Sequence, residues 1–486
     1  MFQRLKRLQE ALDIFRFFER ISGKKPPLAI RNLIIFSFGA VVAIAVVFYL
    51  NINTDLPREK VFMLGIFILA SWLWLTEAVP LFATAVLIIG LEVLLLGNPG
   101  NWDSLGFEVA ENPGFRNFLM PLSDPVIVLF FGGFILAMAT VKEGVDKALA
   151  GQLLNIFGKS PSKVLFGMMG VTAIFSMFMS NTATAAMMIT LSIPILAQIP
   201  AKEPFRKSLM LAIPFAANIG GMGTPISSPP NAVAVAYLRT SGYDVSFFEW
   251  FLIALPIWVI LLFVLFFLLS KIYKAPVGFA EFDVPKSPID RRGWFVIIIF
   301  ASTVLLWLTD FFHGLPPAVV ALIPPIVFTT TGLISTKDLK RLDWHILLLI
   351  AGGIALGTGM QVTELDLEVL NYLPTDSPYI LGILLFSTLI MSTFLSNTAS
   401  ANLIIPLALA ISYAIDDYGA KALIIGVALM ASSAMALPVS TPPNAMAYAK
   451  GELLSKDFVL TGSIVGIIGL GLVLAYFRLM SYFGIL

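Results

Sequence analysis

SMFMSNTATA, from Ser176 to Ala185, and STFLSNTASA, from Ser392 to Ala401, decide the reading of this chain. Seven of the ten positions match across a separation of 216 residues. Each string sets two hydroxyls and an amide, Ser-Asn-Thr, between apolar segments. Polar side chains at membrane depth are costly unless they hold something. Two near copies therefore predict one site assembled from two halves of the chain.

Composition supplies the setting. Of 486 residues, 58% are hydrophobic and 13% charged, and the mean hydropathy is +0.90. A soluble domain carries roughly a quarter charged residues, so this is an all-α polytopic membrane protein. The absence of Cys excludes a disulfide, a thiol nucleophile and a thiolate metal site. His313 and His345 are too few and too far apart in sequence to suggest a metal site. A net charge of +1 gives no reason to expect a nucleic-acid partner.

Apolar segments succeed one another from about residue 33 to residue 480. The run 61–97 is too long for one crossing, which takes about 20 residues, and Thr76-Glu77-Ala78-Val79-Pro80 divides it. Glu77 there is expected to cap a helix start. Several segments are short and interrupted by Gly, Pro or polar residues, which predicts re-entrant hairpins and broken helices beside about 11 spanning helices.

The echoes extend beyond the two strings. Trp74-Leu75-Thr76-Glu77 returns as Trp307-Leu308-Thr309-Asp310, and Gly132-Gly133 as Gly352-Gly353. TPISSPPNAVAVA from Thr224 matches LPVSTPPNAMAYA from Leu437 at eight of 13 positions. The four landmarks keep one order. They divide the chain into an interfacial amphipathic helix over 1–28, a first spanning helix and loop over 29–60, repeat one over 61–273, a charged linker over 274–293 and repeat two over 294–486. Residues 141–163 carry four Lys against two acids, whereas the matching 361–378 carry four acids and no base. Matching segments with unequal Lys content predict opposite sides of the membrane, that is, inverted-topology repeats. Eight bases against three acids in residues 1–31 predict a cytoplasmic N-terminus.

At the tip of a hairpin, carbonyls are left free by one arm and N–H groups by the start of the next. Carbonyls and side-chain oxygens suit a hard cation such as Na⁺, and helix N-termini suit an anion. Ser176 and Ser392 lie one helical turn before Ser180 and Ser396, within reach of the same shell. The adjacent prolines 229–230 and 442–443 cannot continue a helix and are expected to leave carbonyls unpaired opposite each tip. No Arg or Lys lies in either element, so an anion would be held by hydroxyls, amides, dipoles and bound cations. Small polar residues also pack spanning helices together, but duplication of both elements argues for a site. No phosphate-binding glycine loop, HExxH or GxSxG string occurs, so an enzyme is not expected.

These strings, with TEAVP at 76–80, GGF at 132–134 and the paired PPN elements, resemble the divalent anion/sodium symporter family of dicarboxylate, citrate and sulfate carriers, from about Val61 to the C-terminus. The resemblance implies a homodimeric elevator in a bacterial inner membrane that imports C4-dicarboxylates (succinate, malate, fumarate) with Na⁺ and needs no organic cofactor. It implies two Na⁺ sites. The first would use Ser176, Ser180, Asn181 and the backbone near Ser227, and the second Ser392, Asn397 and the backbones near Leu395 and Ser440. The substrate would meet Ser180, Asn181, Thr182, Ser228, Ser396, Asn397, Thr398, Thr441 and Pro442. The spacing from Asn to PPN Asn is 50 in one repeat and 47 in the other, so Gly223-Thr224-Pro225 stands as an alternative source of the first backbone contact. Na⁺-independent dicarboxylate exchange and a non-transporting dicarboxylate sensor are the alternative functions.

Overall fold

The computed structural model describes residues 28–98, 114–157, 160–274, 288–372, 379–413 and 419–483, and among these every regular element is a helix. The amphipathic helix expected over 1–28 and most of the 274–293 linker lie outside the described residues.

Helix α1 (Leu28–Asn53) pairs with α2 (Arg58–Thr76). Gly39 is the point of approach: a Cβ there would lie 2.1 Å from the Trp72 indole, whose N–H donates to Ile35 O at 2.9 Å. The TEAVP string ends α2 rather than starting a helix. Glu77 takes a left-handed φ of 48° as the C-terminal cap, its N–H donating to Leu73 O at 3.0 Å. The expected start cap is thus corrected: Pro80 fixes extended backbone and opens α3 (Leu81–Leu95) itself. The Trp74 indole closes this turn on Leu81 O at 3.2 Å. Trp307 makes the equivalent bond to Pro317 O at 3.0 Å in the second half.

The first half continues through α4 (Phe115–Leu119), α5 (Pro125–Lys142), α6 (Val145–Phe157), α7 (Pro161–Ser176), α8 (Asn181–Ala197), α9 (Phe205–Gly220), α10 (Pro229–Thr240) and α11 (Phe247–Ile272). The second half runs α12 (Arg291–Leu308), α13 (Asp310–His313), α14 (Pro317–Val320), α15 (Ile323–Thr330), α16 (Thr336–Leu339), α17 (Trp344–Val362), α18 (Leu365–Leu370), α19 (Ile380–Phe394), α20 (Asn397–Ser412), α21 (Ala420–Ser433), α22 (Pro442–Tyr448) and α23 (Ser455–Tyr482). Seven helical stretches among the described residues are long and apolar enough to cross a membrane, and α7, α8, α19 and α20 are shorter apolar helices. This is a multi-pass membrane protein.

The halves interlock rather than sit side by side. Gly132 of α5 faces Ala321, between α14 and α15, whose carbonyl oxygen would be 2.0 Å from a Cβ. Its counterpart Gly352 of α17 faces Ala85 of α3, where a Cβ would come within 2.2 Å. Each glycine admits a helix of the other half at backbone distance, the approach that stabilises helix pairs where lipid removes the hydrophobic drive. Exchange recurs further on: α10 packs on α20 and α21, and α22 packs on α8 and α9. The most deeply buried helices are α9 and α21, with Leu209, Phe215, Ile219, Leu423, Ile425 and Leu429 fully enclosed. These two helices carry the carbonyls that meet the paired Ser-Asn turns.

Candidate functional site: paired Ser-Asn turns

Helix α7 stops at Ser176, and a turn over 177–180 leads into α8. Ser180 is extended and caps α8, its hydroxyl accepting from Ala183 N at 3.2 Å. Asn181 thereby becomes the first helical residue, and its carboxamide swings back under the end of α7. Ser176 Oγ lies 2.7 Å from Asn181 Oδ1 and 2.7 Å from Ala217 O of α9. A hydroxyl has one proton, so it satisfies one of these oxygens at a time. Three oxygens therefore converge, with the one hydroxyl proton shared between Asn181 Oδ1 and Ala217 O, the latter also accepting from Gly221 N at 2.8 Å. Gly221, just past α9, makes room: a Cβ there would stand 2.4 Å from Asn181 Oδ1.

The second half repeats the geometry. Helix α19 ends at Phe394, Leu395 is extended and buried, and Ser396 caps α20 by accepting from Ala399 N at 3.1 Å. Ser392 Oγ lies 2.9 Å from Asn397 Oδ1 and 2.8 Å from Ala431 O of α21. Both serines are fully buried.

Beside each cluster a helix breaks, over 221–228 after α9 and 434–441 after α21. The expectation of unpaired carbonyls is corrected here. Pro229-Pro230 and Pro442-Pro443 sit in the first turn of α10 and α22, where a missing N–H is harmless. The asparagine that follows takes up the carbonyls freed at the break. Asn231 Nδ2 donates to Gly221 O at 2.9 Å and Thr224 O at 2.8 Å, and Asn444 Nδ2 to Met435 O and Leu437 O, both at 2.9 Å. Ser227 Oγ reaches the same pair, Gly221 O at 2.7 Å and Thr224 O at 2.6 Å. Each break is also tied to its own turn, by Thr224 Oγ1 to Met177 O and by Ser440 Oγ to Thr393 O at 2.6 Å. The halves join through Asn218 of α9, whose Nδ2 donates to Thr441 Oγ1 at 3.1 Å and approaches Asn444 Oδ1 at 3.4 Å.

The structure brings Ser176 with Asn181 and Ser392 with Asn397, as the sequence expects, and places Ser227 and Ser440 at the adjoining breaks. Ser180 and Ser396 are spent as helix caps. Thr182 and Pro442 are exposed, whereas Ser228, Thr398 and Thr441 are buried. Sequence reasoning missed Ala217 and Ala431, which act through their backbone, and Asn218, Asn231 and Asn444. The PPN asparagines were visible as a duplicated residue type. Nothing in the sequence marks the alanines. Four buried oxygens in and beside the breaks lack a protein partner: Ser228 Oγ in the first break, and Asn218 Oδ1, Asn231 Oδ1 and Ser432 Oγ on the flanking helices α9, α10 and α21. Buried polar atoms without a protein partner are free to meet a bound group. No Asp, Glu, Lys or Arg belongs to either cluster. The donor set is neutral oxygen and amide, which suits a hard monovalent cation and, through N–H groups, a carboxylate.

Comparison with known proteins supports the same class. The sequence pattern of the CitMHS citrate transporter family matches residues 71–422. An uncharacterized transporter of Schizosaccharomyces pombe is 30% identical over 448 residues, 88% of this chain, and the chain spans about half of that relative (50%). The sodium-dependent dicarboxylate transporter SdcS of Staphylococcus aureus is 30% identical over 500 residues, covering 93% of this chain and 91% of its own. Among solved structures, the Alcanivorax borkumensis YdaH transporter covers 86% of this chain and 98% of its own, with a TM-score of 0.55 and 14% identity, a likeness of fold alone.

Proposed function

We propose a function for a chain that belongs to the citrate transporter family. It is a secondary active transporter that imports C4-dicarboxylates (succinate, malate, fumarate) coupled to Na⁺. The observation that carries this reading is the duplicated oxygen cluster, Ser176–Asn181–Ala217 O and Ser392–Asn397–Ala431 O, in which a serine hydroxyl with one proton faces two acceptor oxygens. A Na⁺ seated in each cluster would take the lone pairs that the hydroxyl proton cannot satisfy. The substrate would sit between the two turns, its negative charge met by the cations and by the N–H groups that open α8 and α20. With no basic side chain in the clusters, the anion site is complete only when the cations are bound. That gives coupling a physical origin, because each ligand raises the affinity of the other by the same factor.

In this reading the two halves are inverted repeats, α7–α8 and α19–α20 are re-entrant hairpins, and the chain crosses a bacterial inner membrane about 11 times with its N-terminus inside. The clusters, together with α9, α10, α21 and α22, move as a body against α2, α3, α12 and α14–α15 in each protomer of a homodimer, an elevator. The shape of the breaks supports a rigid moving unit, since each is stitched to its own turn and to the other half. Uptake of radiolabelled succinate into proteoliposomes tests the proposal. Uptake that requires an inward Na⁺ gradient and stops when choline replaces Na⁺ is the expected result. Equal uptake in choline that depends on internal dicarboxylate would replace the symporter with an exchanger.

A further inference from the structure

A cavity of about 320 Å³ opens beside the first turn, and Ser180 stands in its wall. That is within the size range of small-molecule sites, about 300–1,000 Å³. Its other polar walls come from remote parts of the sequence: Lys142 at the end of α5, Asp338 of α16, and Arg341 and Asp343 from the stretch between α16 and α17. Their charges are not equivalent. Lys142 Nζ is held by Asp338 Oδ2 at 2.6 Å and by Leu333 O at 2.8 Å. Asp338 is in turn engaged by Ser335 N at 2.8 Å and Ser335 Oγ at 2.6 Å, and with Lys142 these hold its carboxyl well below the usual carboxylate range. This pair is closed on itself and contributes no net charge to the cavity.

Arg341 differs. It is exposed, and it forms no ion pair among the described residues although two carboxylates share its cavity. Asp338 is already committed. Asp343 forms no ion pair with it, and its carboxylate lies 4.0 Å from the ring of His345. A guanidinium left unpaired in a cavity that ends at a hydroxyl-lined turn is a fork for a carboxylate.

We infer that this cavity is a binding vestibule for a small di- or tricarboxylate, with Arg341 gripping one carboxylate while the anion's other end faces Ser180. The inference deepens the transport reading and rests on it. Arg341 is a specificity-determining residue in this assignment: it favours anions long enough to bridge guanidinium and turn, and it gives capture a dependence on ionic strength that the neutral clusters lack.

The test combines binding and transport in wild type, Arg341→Gln and Arg341→Lys. Binding of radiolabelled succinate and citrate to the purified protein is measured in NaCl, and uptake KM is measured in vesicles of both orientations with choline chloride varied at fixed Na⁺. Arg341→Gln is expected to weaken binding about tenfold and to raise KM similarly on one face of the membrane, with kcat kept, because one charge-assisted contact is lost. It is also expected to flatten the salt dependence, while Arg341→Lys retains that dependence. A wild-type protein that binds neither anion sinks the transport reading and this inference together. Wild-type binding with Arg341→Gln within about twofold of it, on both faces and with unchanged salt response, overturns the vestibule alone.

Discussion

Gly221→Ala separates a cation cluster from a packing contact. Gly221 has a right-handed backbone (φ −62°, ψ −6°), so alanine adopts it without strain. The added Cβ would lie 2.4 Å from Asn181 Oδ1 and 2.5 Å from Nδ2, where ordinary contact begins at 3.4 Å. The carboxamide must therefore retreat by about 1 Å, and it can, being the end of a side chain at a turn. That retreat stretches the 2.7 Å approach of Ser176 Oγ to Asn181 Oδ1 towards the limit of a hydrogen bond. Misplacing one group of an ion's shell costs about 10–100-fold in affinity, or ~1.4–2.8 kcal/mol. Stability should change little, since the entropy gained by removing a glycine, about 0.4–1 kcal/mol, offsets one weakened hydrogen bond of about 1 kcal/mol. The counterpart in the second half is Met435, so the effect belongs to the first cluster alone. The assay is the Na⁺ concentration for half-maximal succinate uptake, with the Na⁺-induced rise in Tm as an independent reading. Neighbouring Gly220→Ala is the contrast, because its Cβ would strike the Ala173 backbone at 2.3 Å and the protein should fail to assemble. A folded Gly221→Ala protein with wild-type Na⁺ dependence would refute the assignment of Asn181 to a cation.

Two further outcomes follow from packing and charge. Asn402 is fully buried on α20 against Gly353, with neither end of its carboxamide paired, so Asn402→Leu should raise Tm in detergent by a few degrees, about 1–2 kcal/mol; a lower Tm would mean that the amide has a partner. Arg206 at the start of α9 grips Glu452 before α23, with Nε to Oε2 at 3.1 Å, and holds that carboxyl below its usual range. A depressed folded-state pKa stabilises above the unfolded value and is lost as pH falls through the folded one. The Tm deficit of Glu452→Gln should then be constant from pH 7 to about 5 and close below about 4.5, the ordinary glutamate value; a deficit that persists at pH 3 would assign it to packing.

Much of the site was legible because its chemistry is local. A serine one turn before a Ser-Asn-Thr cap needs only helix geometry to meet the asparagine, and Ser176–Asn181 and Ser392–Asn397 do so. The helix limits follow from Ser180, Ser396 and Thr441, whose side-chain oxygens satisfy N–H groups at helix starts. The misreadings are of another kind. Glu77 looks like a starting cap because acids favour helix N-termini, but Pro80 two residues after Ala78 already sets the next helix, leaving Glu77 to end the last. The PPN prolines open α10 and α22 rather than leave carbonyls unpaired, and the carbonyls free at the preceding breaks are claimed by Asn231 and Asn444, since burial leaves no water to take them.

The sequence by itself determined that this chain is membrane-embedded, duplicated, and polar at two matched turns, because composition and repetition are properties of the string. Only the tertiary structure decided which backbone oxygens complete each cluster and which half supplies them. Ala217, Ala431 and Asn218 are chosen by where α9 and α21 lie. Arg341 shares a cavity with Ser180 only because α16 lies against the end of α5. The exchange of α10 and α22 between halves has the same cause. Backbone approaches backbone at glycines such as Gly132 and Gly352, and where those contacts fall is set by close packing in three dimensions, which no local pattern encodes.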